Sequence, residues 1–327
     1  MIAPIDAIGG YFAIESTKGS IFPLLTRAAR YRSARSALSA LLRHGKSRRV
    51  WIPHFVCDVV VAAVESAGAS VCRYALADQW GPPSDLPIEC GDRLLCVDFF
   101  GLSRASCLRA VEQYGTEVVV IDASQALFHE GIAGVDTIYS PRKFIGLPDG
   151  GLVLTQRDLP QPVHGNELDS IDRAQHLLMR SAGLVGEGYK QFIEAERSLE
   201  RCDPISMSTL TFEMLSGVDF VSVAQARRAN YRQLMDVLVS RGYQVPALPD
   251  DAVPLCCPVI DASAEPIRAG LIAQKIFVPL YWPGLDIPLT DNVGMALHSR
   301  TVYLPCDQRY GAMDMSRVLD TFLALRS

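Results

Sequence analysis

A chain of 327 residues with 49% hydrophobic and 20% charged residues can bury a large core, which excludes a minimal binding module and predicts one large domain with a smaller appendage. A net charge of −5 and a pI of about 5.7 exclude a dominant electrostatic contact with nucleic acid or an acidic membrane, and leave room for a small anionic ligand. The nine cysteines are scattered and the adjacent pair Cys256-Cys257 lacks CxxC spacing, so neither a disulfide framework nor a zinc site is expected and the setting reads as reducing and cytoplasmic.

The N-terminal residues carry neither a positive n-region nor a long apolar h-region, so no signal peptide is predicted, and no apolar run reaches the roughly 18 residues of a membrane span. "RSARSALSALL", 32 to 42, is a hydroxyl-rich start to a helical pattern with Ser33 at the N-cap. Val50–Ile52 reads as a strand, Cys57–Ala67 as a helix, Ser70–Tyr74 and Arg93–Asp98 as strands, Arg104–Tyr114 as a helix and Glu117–Ile121 as a buried strand. Two further strand-like segments, Thr137–Tyr139 and Gly151–Thr155, flank a turn-rich run. This alternation predicts an α/β fold with a mostly parallel sheet covered by helices, whose function gathers at the carboxyl ends of the strands. Residues 167–200 and 220–239 are helical in character. From Tyr243 the chain turns to proline-punctuated short strands, ending in a helix near Asp314 with Met315, Val318, Leu319 and Phe322 at helical spacing. The composition shift places a domain boundary near 235, giving a large domain 1–235 and a small one 236–327.

Asp122 follows the buried strand, so its carboxylate emerges at the functional edge, with Gln125 three residues on; Asp-Ala-Ser-Gln also reads as a helix N-cap. Lys143 lies in "YSPRKFIGLPDGG", 139 to 151, and is one of five lysines against twenty-six arginines. A lysine that acts as a nucleophile needs a partly desolvated amine, a setting that Arg142, Tyr139 and Phe144 are expected to create. An Asp at one strand end and a Lys about twenty residues later at the next is the pairing that pyridoxal phosphate enzymes use: the carboxylate keeps the pyridine nitrogen protonated, and the amine forms the imine and carries the proton. The phosphate requires donors at a helix N-terminus, for which Ser33, Arg35, Ser36 and Ser140 are candidates. Phe55, with His54 beside it, is the candidate for stacking on the ring. Tyr281 and Trp282 are candidates for a substrate wall. "GLVGEG", 183 to 188, fails the order of a nucleotide loop, and His129, His164, His176 and His298 show no metal spacing.

The stretches "IGGYFAIE" (8–15), "SARSAL" (33–38), "IPHFVCDVV" (52–60), "DFFGL" (98–102), "IDASQALF" (121–128) and "YSPRKFIGLPDGG", in that order, resemble a short branch of the DegT/DnrJ/EryC1/StrS family of pyridoxal-phosphate aminotransferases; "RRANY" (227–231) and "VYLPCD" (302–307) resemble it more weakly. The resemblance implies the pyridoxal-phosphate-dependent transferase fold type I, with helices on both faces of a mostly parallel sheet and a small C-terminal α+β domain. It implies Lys143 as the imine lysine, Asp122 as partner of the pyridine nitrogen, Gln125 near the phenolic oxygen, and Ser140 with the Ala34-Arg35 backbone around the phosphate. A homodimer with shared active sites is also implied, with residues 180–214 as the region contributed to the partner. The family carries S-F-H-x-x-K where this chain has Ser140-Pro-Arg-Lys143, shorter and without histidine. The expected function is an aminotransferase taking an amino group from a donor such as glutamate to a keto sugar or related carbonyl compound, in cell-surface polysaccharide synthesis. A dehydratase or epimerase using the same cofactor, and a non-catalytic protein of this fold, are the alternatives.

Overall fold

Residues 22–326 are described by the structure, a computed structural model; the stretch 8–15 lies outside them. Among the described residues nine strands form two sheets: β1 (Ala29–Tyr31), β2 (Arg49–Pro53), β3 (Ser70–Tyr74), β4 (Asp92–Val97), β5 (Val119–Asp122), β6 (Asp136–Tyr139) and β7 (Gly151–Leu154) in the first, β8 (Cys257–Ile260) and β9 (Thr301–Leu304) in the second. The helices are α1 (Pro23–Arg27), α2 (Ala34–His44), α3 (Asp58–Ser66), α4 (Arg104–Tyr114), α5 (Glu167–Ser181), α6 (Val185–Ser198), α7 (Thr209–Ser216), α8 (Phe220–Ser240), α9 (Ala264–Ala273), α10 (Asn292–Ser299) and α11 (Ala312–Ala324).

The large sheet has the order β1-β7-β6-β5-β4-β2-β3. β6, β5, β4, β2 and β3 run parallel, and β7 is antiparallel to both β6 and β1. Every residue of β4, β5 and β6 is buried, as expected of strands covered on both faces, and the polar residues that begin β4 and β6 are paired, Arg93 with Asp136 at 2.6 Å. α2 packs on β6 and β7, α3 on β3, and α4 on β4 and β5. This is the expected α/β architecture, with a mixed rather than wholly parallel edge. Register aligns Val97 with Asp122 and Asp122 with Ile138, so the carboxyl ends of three parallel strands stop level with one another. Because β7 runs the other way, its first residue, Gly151, arrives at the same edge.

The second sheet is an antiparallel pair packed against α8, α9 and α10, with α11 packed on α8 and α9. Its core joins Cys257, Val259, Val302 and Leu304 with Met315, Val318, Leu319 and Phe322, the four residues whose spacing predicted the last helix. α8 spans position 235: Phe220 packs in the large core, whereas Tyr231, Leu234 and Leu238 pack in the second. The region after Tyr243, read as short strands, contains α9 and α10 as well as two strands: its prolines fall in the connections, in β8 at Pro258 and in the first turn of α9 at Pro266, where a proline is tolerated.

Two stretches at opposite ends of this region fasten it to the large sheet. Arg227, 2% exposed, donates to the carbonyls of Pro254, Leu255 and Phe144 and to Gln308 Oε1, with its guanidinium 4.6 Å from the Phe144 ring centroid. Asn230 donates to the carbonyls of Cys306, Asp307 and Tyr310. "RRANY" and "VYLPCD" therefore pack on one another, and Arg227 holds the residue that follows Lys143. No described helix is long and apolar enough to cross a membrane.

Candidate active site

A cavity of about 190 Å³ opens at the level carboxyl edge of the sheet, lined by Val97, Asp122 and Ile138 from the strand ends and by residues that the connections bring over them. Of the residues singled out in the sequence, Ser33, Ala34, Arg35, Asp122, Gln125, Ser140, Lys143 and Trp282 line it. Asp122 is 6% exposed, and its Oδ1 accepts the Ser124 N–H at 2.9 Å. That bond caps a turn: no helix begins after Asp122, so the capping-box alternative is not realised. Gln125 is buried, and its Oε1 accepts the Phe100 N–H at 2.9 Å. This fixes the orientation of the amide and leaves its NH2 as the end available to the cavity.

Opposite these lies the first turn of α2. Ser33 is its N-cap, accepting the Ser36 N–H at 3.1 Å. Two glycines bring this turn against the sheet. Gly150, at φ +126°, donates its N–H to the Arg32 carbonyl at 2.6 Å, and a Cβ on Gly151 would stand 2.1 Å from the Ser33 carbonyl carbon and 2.3 Å from the Ala34 nitrogen. Backbone approach this close is open only to glycine. The helix N-terminus and the hydroxyls of Ser33, Ser124 and Ser140 therefore share one cavity, a donor set suited to an anion such as a phosphate.

Lys143 closes a single 3-10 turn, Pro141–Lys143, with its N–H on the Ser140 carbonyl. The expected desolvated amine is corrected here: Lys143 is exposed. Its aromatic neighbours turn inward, Phe144 under Arg227 and Tyr139 with its hydroxyl on the His129 carbonyl, and do not cover the lysine, which lines the cavity while open to solvent. Beside it, Arg142 pairs with Glu196 of α6.

Five other expectations change. Ser36 is fully buried, shares hydrogen bonds with Ser33 and does not line the cavity. The Arg35 side chain donates to the Leu199 carbonyl at 2.7 Å, so it ties α2 to the end of α6 while its backbone stands at the cavity. Phe55 is 0% exposed in the core, its ring 4.7 Å from that of Trp282, which forms the wall in its place. His54 is held away by Asp291, Nδ1 to Oδ2 at 3.0 Å. Tyr281 packs on Phe100 and Tyr303 and faces a separate depression, whereas Trp282, at φ +53°, turns the opposite way into the cavity. A left-handed tryptophan is a costly conformation, here followed by Pro283 and by Gly284 at φ +89°.

Sequence reasoning missed Cys57, Ser124, Glu196 and Leu199 as cavity residues. Cys57 and Ser124 stand inside motifs already quoted; Glu196 and Leu199 come from a helix with no motif at all. Burial pushes the Cys57 thiol up, against the pull of the Val59 N–H and of the nearby Lys143 and Arg35 charges. Among the described residues no cluster of metal-ligand side chains occurs.

No protein-family model and no curated protein matches the sequence. Solved structures do match in fold. Spr1654 of Streptococcus pneumoniae, assigned as a sugar aminotransferase and solved in PMP and PLP forms, is 14% identical in its PMP form, with 91% of this chain and 87% of that chain covered at a TM-score of 0.63. Helicobacter pylori PseC, an aminotransferase involved in the biosynthesis of pseudoaminic acid, is 13% identical over 96% of this chain and 93% of its own, at 0.62. DesV of S. venezuelae, solved with a ketimine intermediate, is 18% identical over 90% and 83%, at 0.62. The chain thus has the fold of these aminotransferases, the fold type I architecture.

Proposed function

We propose that the protein is a pyridoxal-phosphate-dependent aminotransferase acting on a keto sugar or related carbonyl compound, with glutamate as amino donor. The observation that carries this reading is the meeting of Asp122, Lys143 and the first turn of α2 in one cavity at the carboxyl edge of the sheet, in a fold shared with sugar aminotransferases. The donor set fits the cofactor: hydroxyls and a helix N-terminus for the phosphate, a buried carboxylate for the pyridine nitrogen, and a primary amine for the aldehyde. At about 190 Å³ the cavity is below the ~300–1,000 Å³ of drug-sized ligand sites, a size for a one-ring cofactor rather than a nucleotide as well.

When bound, pyridoxal phosphate supplies an electron sink for the carbanion left by loss of the substrate α-proton. In this reading Asp122 holds a proton on the ring nitrogen, its other oxygen being fixed by the Ser124 N–H. Lys143 would hold the cofactor's aldehyde group through Nζ and would carry the substrate proton at the same atom; arginine is excluded from that role because its guanidinium stays protonated. Ser33, Ser140 and the Ala34-Arg35 backbone hold the phosphate, Gln125 presents its NH2 to the phenolic oxygen, and Trp282 excludes water on one side.

The same reading divides the chain into a large unit, 1–235, that holds the site and a small one, 236–327, that supplies Trp282. It also includes a homodimer. Supporting it, the α5–α6 hairpin exposes Leu168, Ile171, Leu178, Tyr189, Phe192 and Ile193, and α6 reaches the cavity through Glu196. Synthesis of a surface polysaccharide is the proposed setting, supported by the sugar chemistry named for the structural neighbours. The test is the absorbance spectrum of protein with added pyridoxal phosphate, before and after L-glutamate, with Lys143→Ala as control. A visible band that needs Lys143 and is bleached by glutamate is expected. A band that survives in Lys143→Ala, or resists borohydride trapping in the wild type, refutes the assignment of Lys143. A Lys143-dependent band indifferent to every amino donor points to a dehydratase or epimerase, and no band at all to the non-catalytic alternative.

A further inference from the structure

Arg142 and Glu196 both line the cavity and are ion-paired with one another. We propose that this pair is a carboxylate receptor held closed: Arg142 binds the carboxylate of the amino donor, and Glu196 occupies the guanidinium until that carboxylate displaces it. This rests on the aminotransferase reading of the cavity.

The two partners are unequal. The Arg142 side chain is 15% exposed, walled in beside Lys143, whereas that of Glu196 is 45% exposed and reaches in from α6. The ion pair engages only Nη2, and Nε, shut off from solvent, has no acceptor among the described residues. A guanidinium offers five N–H donors in a planar fork, and a free carboxylate entering the cavity can take two of them side by side. A further ionisable neighbour, outside the cavity lining, is His176 on α5. Burial, and then the Arg142 charge, lower its pKa from the usual range, which disfavours a second cation competing for the incoming carboxylate. Arg142 directly precedes Lys143 and both line the same cavity, so the carboxylate receptor shares the site with the amine that would carry the proton. Glu196 in turn keeps that charge paired when the site is empty, which a largely buried cation requires.

Glutarate, a dicarboxylate without an amino group, tests this by calorimetric titration of the full-length protein, alone and loaded with pyridoxal phosphate. Glu196→Gln removes the competing charge and keeps the shape; it is expected to bind glutarate roughly two- to fivefold more tightly, the range set by a half-exposed ion pair. Arg142→Gln is expected to bind it at least about tenfold more weakly, since a hydrogen bond to a charged group is lost, with Arg142→Lys between the two. The double variant should match Arg142→Gln alone. In the loaded protein Arg142→Gln should raise KM for L-glutamate more than it lowers the maximal rate of bleaching. Glutarate affinity unchanged or weakened in Glu196→Gln overturns the proposal and makes the pair a tether for α6. If the visible band forms while glutarate ignores both substitutions, the receptor falls and the aminotransferase reading stands. If no variant, nor the wild type, forms the band, that reading falls with it.

Discussion

Gly151→Ala is the smallest perturbation that reaches the centre of the site without touching a charged or hydroxyl group. The added Cβ would lie 2.1 Å from the carbonyl carbon of Ser33, 2.3 Å from its oxygen and 2.3 Å from the Ala34 nitrogen. All three are backbone atoms of the first turn of α2, so no side chain can swing away. Recovering an ordinary contact moves the turn by roughly 1 Å, against a bond from Gly150 to Arg32 that pins it at 2.6 Å. Overpacking costs about 1–3 kcal/mol, and a clash with backbone belongs at the upper end. At about 2.1 cal/mol/K of unfolding entropy per residue, 3 kcal/mol in a chain of this length lowers Tm by roughly 4 °C. Displacing the phosphate donors by that distance should weaken pyridoxal phosphate at least about tenfold. Gly146→Ala is the matched control: its Cβ meets only Leu177 Cδ2, at 3.4 Å, and both readings should stay near wild type. Thermal melting and cofactor titration of the two variants decide it. Gly151→Ala with wild-type Tm and wild-type cofactor affinity would refute the argument that this contact seats α2.

Arg227→Met should destabilise the protein by about 2–4 kcal/mol in urea unfolding, because the Pro254 and Leu255 carbonyls and Gln308 Oε1 lose their buried donor; a loss below about 1 kcal/mol would show that water or rearrangement replaces it. The Asp92 carboxyl is held down at about 2: burial alone would raise it, but bonds from the Arg49 guanidinium, the Glu89 N–H and Trp51 Nε1 outweigh burial. A folded pKa below the ordinary value of about 3.9 stabilises fully above pH ~4 and is lost as pH falls toward 2. Asp92→Asn should therefore flatten the fall in stability across that window, and an unchanged slope would assign the acid transition to other carboxylates.

The residues that chemistry marks out were legible in the sequence because each belongs to a strand end or a cap whose local pattern is strong. The apolar run before Asp122 fixes where the carboxylate emerges, and the serine-rich start of α2 fixes its N-cap, through interactions between residues near in sequence. The last helix was legible for the same reason, with Met315, Val318, Leu319 and Phe322 on one buried face. What tertiary structure alone decided is which of two neighbouring side chains faces the cavity. Trp282 enters and Tyr281 leaves because the chain takes φ +53° there, a conformation no pattern predicts for tryptophan. Phe55 and His54 followed a strand end as Asp122 does, yet the first is covered by Trp282 and the second is claimed by Asp291, 237 residues away in sequence. Glu196 was invisible for the same physical reason: an ion pair between positions 54 residues apart leaves no periodic trace, and only the packing of α6 over the Lys143 turn brings it to Arg142.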